Sequence, residues 1–401
     1  MSRSRGFSKV AFYLMLAYGL LLIYGTLFPF NEWLTPSASP WSLMWKHGLH
    51  NTSKADILTN LLVYMPLGLL LMRTLEKRRC PGCTVALVTL LSALLSVTLE
   101  YLQAYLPGRV PSLADVALNT AGGFVGALLA LGLRPDTAIG EKLYELRYRH
   151  IHPGGLANLG LFALCLWTLS QLSPLVPSID LGNLRHGLKP LSQGLQNPAA
   201  LEWARVLEYG LSILVFGIVL STLLRLRYRA LLIFTAFVSL VLLLKIPVVG
   251  RQLSLEALLG LVPGVIFTAL IYDKPRRARL AVAVLAILGI VLATGLHVPA
   301  DAAAASPAVF NWIPFRSHMS NNIIGVIDIL GDLWPFVTLS YGARLSAGKR
   351  KPMLILGGAA TIFPLVFALE WYQQYLPGRS PDITDALIAT MAWLFPWFYS
   401  G

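Results

Sequence analysis

Apolar runs of about twenty residues recur along the whole chain, separated by short polar segments. Each is long enough to cross a hydrocarbon layer as a helix. None shows the short alternating segments of a membrane barrel. The pattern predicts twelve helical spans, near 9–29, 56–73, 84–105, 112–132, 156–172, 203–224, 230–248, 253–272, 279–296, 323–342, 352–374 and 382–398. The first run, Ala11 to Phe30, is too long for the apolar core of a signal peptide, and no small-residue cleavage site follows. It is read as the first helix. The fold class implied is all-α: a polytopic transmembrane helical protein.

Composition agrees. Of 401 residues, 56% are hydrophobic and only 13% charged, against about 25% charged in soluble domains. The net charge of +13 invites a nucleic-acid reading, but the placement of the charge argues against it. With the N-terminus in the cytoplasm, 22 of the 32 Lys and Arg fall in the cytoplasmic segments, including Arg73, Arg78, Arg134, Arg147, Arg227, Arg276 and Arg350. Basic residues in short loops set topology. Both termini are then cytoplasmic, and no nucleic-acid partner is expected.

An internal repeat organises the chain. Glu100 to Asp115 recurs without a gap as Glu370 to Asp385, with nine of sixteen positions identical. Unrelated stretches would share roughly one. Each copy ends an apolar helix with Glu and Gln at i, i+3, breaks with Pro-Gly, presents an Arg and restarts a helix with an acid in its first turn. A fainter echo runs from Pro247 to Glu256; there Arg251 and Ser254 keep the spacing of Arg109 and Ser112, and Leu242 stands where Glu100 does. The domains expected are a four-helix module at 1–133, a basic cytoplasmic linker at 134–154, a degenerate module at 155–275 and a third module at 276–401. An even number of helices per module makes the repeats parallel. The repeated turn then falls outside the membrane in every module, where the segments 30–55, 173–202 and 297–322 join it.

The stretch Asp56 to Gly68, with Asn60, Pro66 and Gly68, resembles the N-x-x-x-F-x-P-x-G helix of the VanZ-like membrane proteins. Glu100-x-x-Gln103, Arg109 and Asp115-x-x-x-Asn119-Thr120-x-Gly122 resemble that family's second half. The resemblance covers about 10–133 and, more loosely, 280–398, where Ala389 replaces Asn119. It implies a cell-envelope protein, glycopeptide resistance being known for the founding member, and supplies no reaction.

Ionisable groups inside apolar helices are costly and mark function by default. Glu100 and Asp115 are therefore the candidate catalytic residues. Gln103, Arg109, Asn60, Asn119, Glu370, Gln373, Arg379, Asp382 and Asp385 are the candidate ligand-binding residues. An Arg beside a helix start suits a lipid phosphate, through its bidentate fork and the unpaired N–H groups. The bland alternatives are specific. Ser112-x-x-Asp115 is close to a capping box, Asp382 has the place of an N-cap, and Arg109 paired with Glu100 would simply hold the turn. Asp328 and Asp332, at i, i+4, are the counterparts of Asp56 and Asn60. No metal set is legible, since His47-x-x-His50 alone is incomplete. Cys80-Pro81-Gly82-Cys83 lacks a thioredoxin-like context and is expected as free thiols. No cofactor is expected. The partners expected are membrane lipids, a lipid-linked glycan or polyprenyl phosphate, and envelope-assembly proteins. Three mechanisms remain open: binding of an anionic lipid carrier, an enzyme on a lipid-linked or peptidoglycan substrate, and a non-catalytic scaffold of an envelope polysaccharide or antibiotic-resistance system.

Overall fold

The computed structural model describes residues 4–28, 30, 33–47, 54–75, 80–224, 230–298, 308–319 and 322–399, of which 4–10, 47, 54–56, 319, 322–327 and 349 are described in backbone alone. The His47–His50 pair and the Asp56 side chain lie outside the described residues. A helix stands at each of the twelve expected spans: α1 (Ser4–Leu27), α3 (Lys54–Leu75), α4 (Pro81–Gln103), α5 (Leu113–Gly132), α7 (Gly155–Leu172), α9 (Trp203–Leu223), α10 (Ala230–Leu244), α11 (Leu255–Tyr272), α12 (Arg276–Leu296), α14 (Asn322–Ser346), α15 (Lys351–Gln373) and α16 (Thr384–Phe398). Eight of them are long and apolar enough to cross a membrane, and Ala11–Leu27 and Ala230–Leu244 are shorter apolar helices. The protein is an all-α polytopic membrane protein.

Four further helices lie in the connections: α2 (Pro40–His47), α6 (Ala138–His150), α8 (Leu181–Gln196) and α13 (Arg316–Met319). The basic linker is thus largely helical. Cys80 and Cys83 are joined as a disulfide rather than standing as free thiols, with Cα atoms 5.3 Å apart. Cys80 is the N-cap of α4 and Pro81 its first residue, so the pair sits where a chain reversal already brings positions i and i+3 together.

The chain forms two compact units, 1–148 and 149–400. In the first, α3 crosses α5 at backbone distance. A Cβ at Gly122 would meet the carbonyl of Leu61, one at Gly126 the carbonyl of Met65, and one at Gly68 the backbone of Gly123. Hydrophobic sequestration does not drive helices together in lipid; close packing of small residues does. α1 lies along α3, where Tyr18 donates to the Val63 carbonyl at 2.7 Å and Leu22 packs on Tyr64 and Leu67.

The second unit pairs its helices differently. Its two first helices are exchanged: α7 packs against α14, and α12 against α9. Gly160 of α7 faces Leu223 and the Tyr341 ring, where an added Cβ would come within 2.8 and 2.9 Å. Thr222 and Tyr341 share a 2.8 Å hydroxyl hydrogen bond, and Arg279 donates to the Ser221 hydroxyl at 2.5 Å. The residues 155–275 and 276–400 therefore share one packed core.

The α3–α5 crossing generates the first test. Gly126→Val should lower the thermal midpoint of the detergent-solubilised protein, with a cost of roughly 2–4 kcal/mol. Gly132→Ala, on the same helix with nothing within 4 Å of the added carbon, should not lower it. Equal midpoints for the two variants would refute the close crossing.

Candidate functional site

The turn between α4 and α5 is held by its own polar groups. Glu100, only 5% exposed, accepts the Ser112 backbone N–H on Oε2 at 2.9 Å. Ser112 is the N-cap of α5, and its hydroxyl accepts from Ala114 N at 3.1 Å. This does the work of a capping box, except that the carboxylate reaches in from the preceding helix. Gly108, at φ +74°, makes the reversal possible. Gln103 points the other way and donates to Thr26 O near the carboxyl end of α1 at 3.3 Å. Asn60 donates to Asp115 Oδ1 at 2.6 Å, and Asn119 to Ser96 Oγ at 3.0 Å. The Asn119 Oδ1 and Ser92 Oγ atoms are buried without a hydrogen-bond partner among the described residues. Arg109 is half-buried. It lies close enough to Glu100 for its charge to be felt there, yet no hydrogen bond or ion pair joins the two among the described residues. The expected Arg109–Glu100 pair is not what holds the turn.

The second copy of the repeated stretch keeps the carboxylate and changes the surroundings. Glu370, also 5% exposed, accepts the Asp382 N–H at 3.3 Å on one oxygen and Gln373 Nε2 at 2.7 Å on the other. Gln373 in turn accepts from Arg379 Nε at 3.1 Å, and Arg379 Nη2 donates to Thr294 O near the end of α12 at 3.1 Å. Asp382 accepts from Thr384 N at 2.6 Å and from the Ser317 hydroxyl. His318, 8% exposed, stands between two acids: Nδ1 lies 3.6 Å from Asp382 Oδ2, and Nε2 lies 3.6 Å from Asp385 Oδ1. Burial lowers the affinity of this imidazole for a proton. The Asp382 hydrogen bond and charge, with Asp332 and Asp328 behind them, outweigh that and leave its pKa raised.

The fainter echo from Pro247 to Glu256 shows the turn without the carboxylate. Leu242 is buried in its place. Lys245, 4% exposed, donates to Gln171 Oε1 at 3.2 Å and Tyr209 OH at 2.9 Å. Arg251 donates to the carbonyls of Ser173 and Ser170 at the end of α7, at 2.6 and 2.5 Å. Gly250 and Gly378 adopt φ +73° and +72°, matching Gly108. At all three turns a side chain therefore satisfies carbonyls left open near the end of another helix, α1, α7 or α12. Gln103 does so in the first, and Arg251 and Arg379 in the others.

The structure thus brings Glu100, Gln103, Arg109 and Asp115 to one turn, with Asn60 on Asp115, and groups Glu370, Gln373, Arg379, Asp382 and Asp385 at the other. Asn119 lies deeper, on Ser96. Sequence reasoning missed Ser317 and His318. They lie in a connecting segment outside the repeated stretch, so neither periodicity nor the repeat marks them. In the second unit a separate cavity of about 520 Å³ is lined by His152, Thr222, Tyr272, Arg276, Arg279 and Tyr341, among others.

No curated protein and no solved structure matches the chain. Residues 10–134 match the family model VanZ/LLP1. That match begins within α1, ends just after α5, and so takes in the whole α3–α5 crossing and the turn held by Glu100. The N-terminal part of this chain, residues 10–134, is similar to the VanZ/LLP1 family.

Proposed function

We propose that the protein works in the bacterial plasma membrane with both termini cytoplasmic, and that the turn between α4 and α5 recognises the anionic head group of a lipid-linked envelope glycoconjugate or lipid carrier from the extracytoplasmic side. The three modules at 1–133, 155–275 and 276–401, joined by the 134–154 linker, are on this reading copies of one ancestral four-helix unit. One observation carries the binding reading. Arg251 and Arg379 spend their guanidinium groups on helix carbonyls, whereas in the first module Gln103 takes that task. Arg109 is left half-buried beside the start of α5. A guanidinium there offers a phosphate two parallel donors, and the helix start adds its positive end. The Glu100 carboxylate is occupied by the Ser112 N–H, which favours binding over acid–base catalysis.

Arg109→Gln should weaken binding of a polyprenyl phosphate in detergent by about tenfold or more, the scale of a lost charge-assisted pair, with the thermal midpoint unchanged. Arg379→Gln should do the reverse, lowering the midpoint and leaving binding intact. Titration of both variants by native mass spectrometry checks this. Unchanged affinity in Arg109→Gln would refute the assignment.

The orientation has its own test. In a chain whose native cysteines are replaced by serine, Ser380→Cys should react with a membrane-impermeant maleimide in intact cells, and a cysteine at Ala138 only after permeabilisation. The opposite pattern would invert the topology.

A further inference from the structure

The first and third modules set the same two positions face to face with one chemical difference. In the first, Asn60 of α3 donates to Asp115 of α5 at 2.6 Å. In the third, Asp332 of α14 faces Asp385 of α16, so an acceptor stands where the amide donor stood. Two facing carboxylates repel, and a cation between them removes the repulsion. Asp332 is half-buried and makes no hydrogen bond or ion pair among the described residues. His318 completes the group: its Nε2 makes no hydrogen bond among the described residues and lies 3.6 Å from Asp385 Oδ1. One atom each from His318, Asp332 and Asp385 lie within 4.8 Å of one another.

We propose that His318, Asp332 and Asp385 bind one divalent cation of the zinc or manganese class. One imidazole and two carboxylates suit those metals better than calcium, which takes six to eight oxygens. Donors about 2.0–2.2 Å from a single ion stand about 3–3.5 Å apart in a tetrahedral shell, so side-chain shifts of about 1 Å close this one. Three protein ligands leave a coordination position open, as in catalytic rather than structural zinc sites. The supporting groups are also those of a metal site. The second imidazole nitrogen, Nδ1, lies 3.2 Å from the Ser317 hydroxyl and 3.6 Å from Asp382 Oδ2. Asp382 is itself fixed by Thr384 N at 2.6 Å. A carboxylate behind a ligating histidine sets its ring orientation and tautomer. Among the described residues the arrangement occurs at this turn, where Asp332 stands in the place of Asn60. On the head-group reading, the two related turns thus recognise different ligands, an anion in one and a cation in the other.

The test uses the full-length protein in detergent, purified on a tag without histidine. Equilibrium dialysis against zinc or manganese chloride, with metal counted by mass spectrometry, should show one more equivalent in the wild type than in Asp332→Asn. His318→Ala should weaken that equivalent by about tenfold or more. Asp332→Asn rebuilds the Asn60–Asp115 arrangement and so should fold, and metal should raise the thermal midpoint of the wild type but not of this variant. Equal stoichiometry in wild type and Asp332→Asn would overturn the proposal and leave a protonated His318 bridging Asp382 and Asp385. If either variant fails to fold, the wild type decides alone: bound Mn²⁺ should show spin-echo modulation from a histidine nitrogen, and its absence overturns the site. No lipid enters the measurement, so its failure is distinct from failure of the head-group reading.

Discussion

A buried carboxylate that accepts a backbone N–H from the start of the next helix is the contact on which the first and third modules depend. Glu100 does this for Ser112 and Glu370 for Asp382. The N–H groups of a helix's first turn have no partner within the helix, and little water reaches them at the end of an apolar bundle. A carboxylate brought from the neighbouring helix answers that need and fixes the angle at which the fourth helix leaves the turn. The cost of burying the charge is offset because both glutamates are hydrogen-bonded. The middle module shows the alternative. Leu242 is buried where the glutamate would be, and a buried Lys245 is held by Gln171 and Tyr209 instead.

The arginine that follows the Pro-Gly or Val-Gly break has a second, equally local origin. The last carbonyls of the first helix need donors, and the turn is the nearest source. Arg251 and Arg379 fill that need directly. Gln103 fills it in the first module, and that substitution of tasks is what leaves Arg109 available for another partner. A repeated sequence therefore does not mean a repeated site. The same residue type at the same position is a helix cap in two copies and a candidate anion ligand in the third.

The pairing of helices follows from where small residues are placed. Gly68, Gly122, Gly123 and Gly126 allow the backbones of α3 and α5 to touch, and this crossing lies inside the residues that match VanZ/LLP1. In the second unit Gly160 lets α7 lie against both Leu223 and Tyr341, which draws together helices from the two halves of that unit. The exchange of α7 and α12 ties the two halves of that unit to each other.

What the sequence determined by itself is what short-range physics writes along the chain. Apolar length marked the twelve long helices, eight of them long and apolar enough to cross a membrane, since a helix must satisfy its own backbone in lipid. The ungapped repeat marked the turn: Glu100 and Asp115 lie at one copy of it and Glu370, Gln373 and Asp385 at the other, while Gln103 turns away to Thr26 of α1. What only the tertiary structure decided depends on contacts between segments far apart in the chain. The partner of Glu100 is a backbone N–H and not Arg109, which side-chain types alone cannot tell. The exchange of helices in the second unit is invisible to periodicity, because a helix shows the same apolar face to either neighbour. His318 lies 64 positions before Asp382 in a connecting segment with no pattern, and only the folded chain sets it between two aspartates.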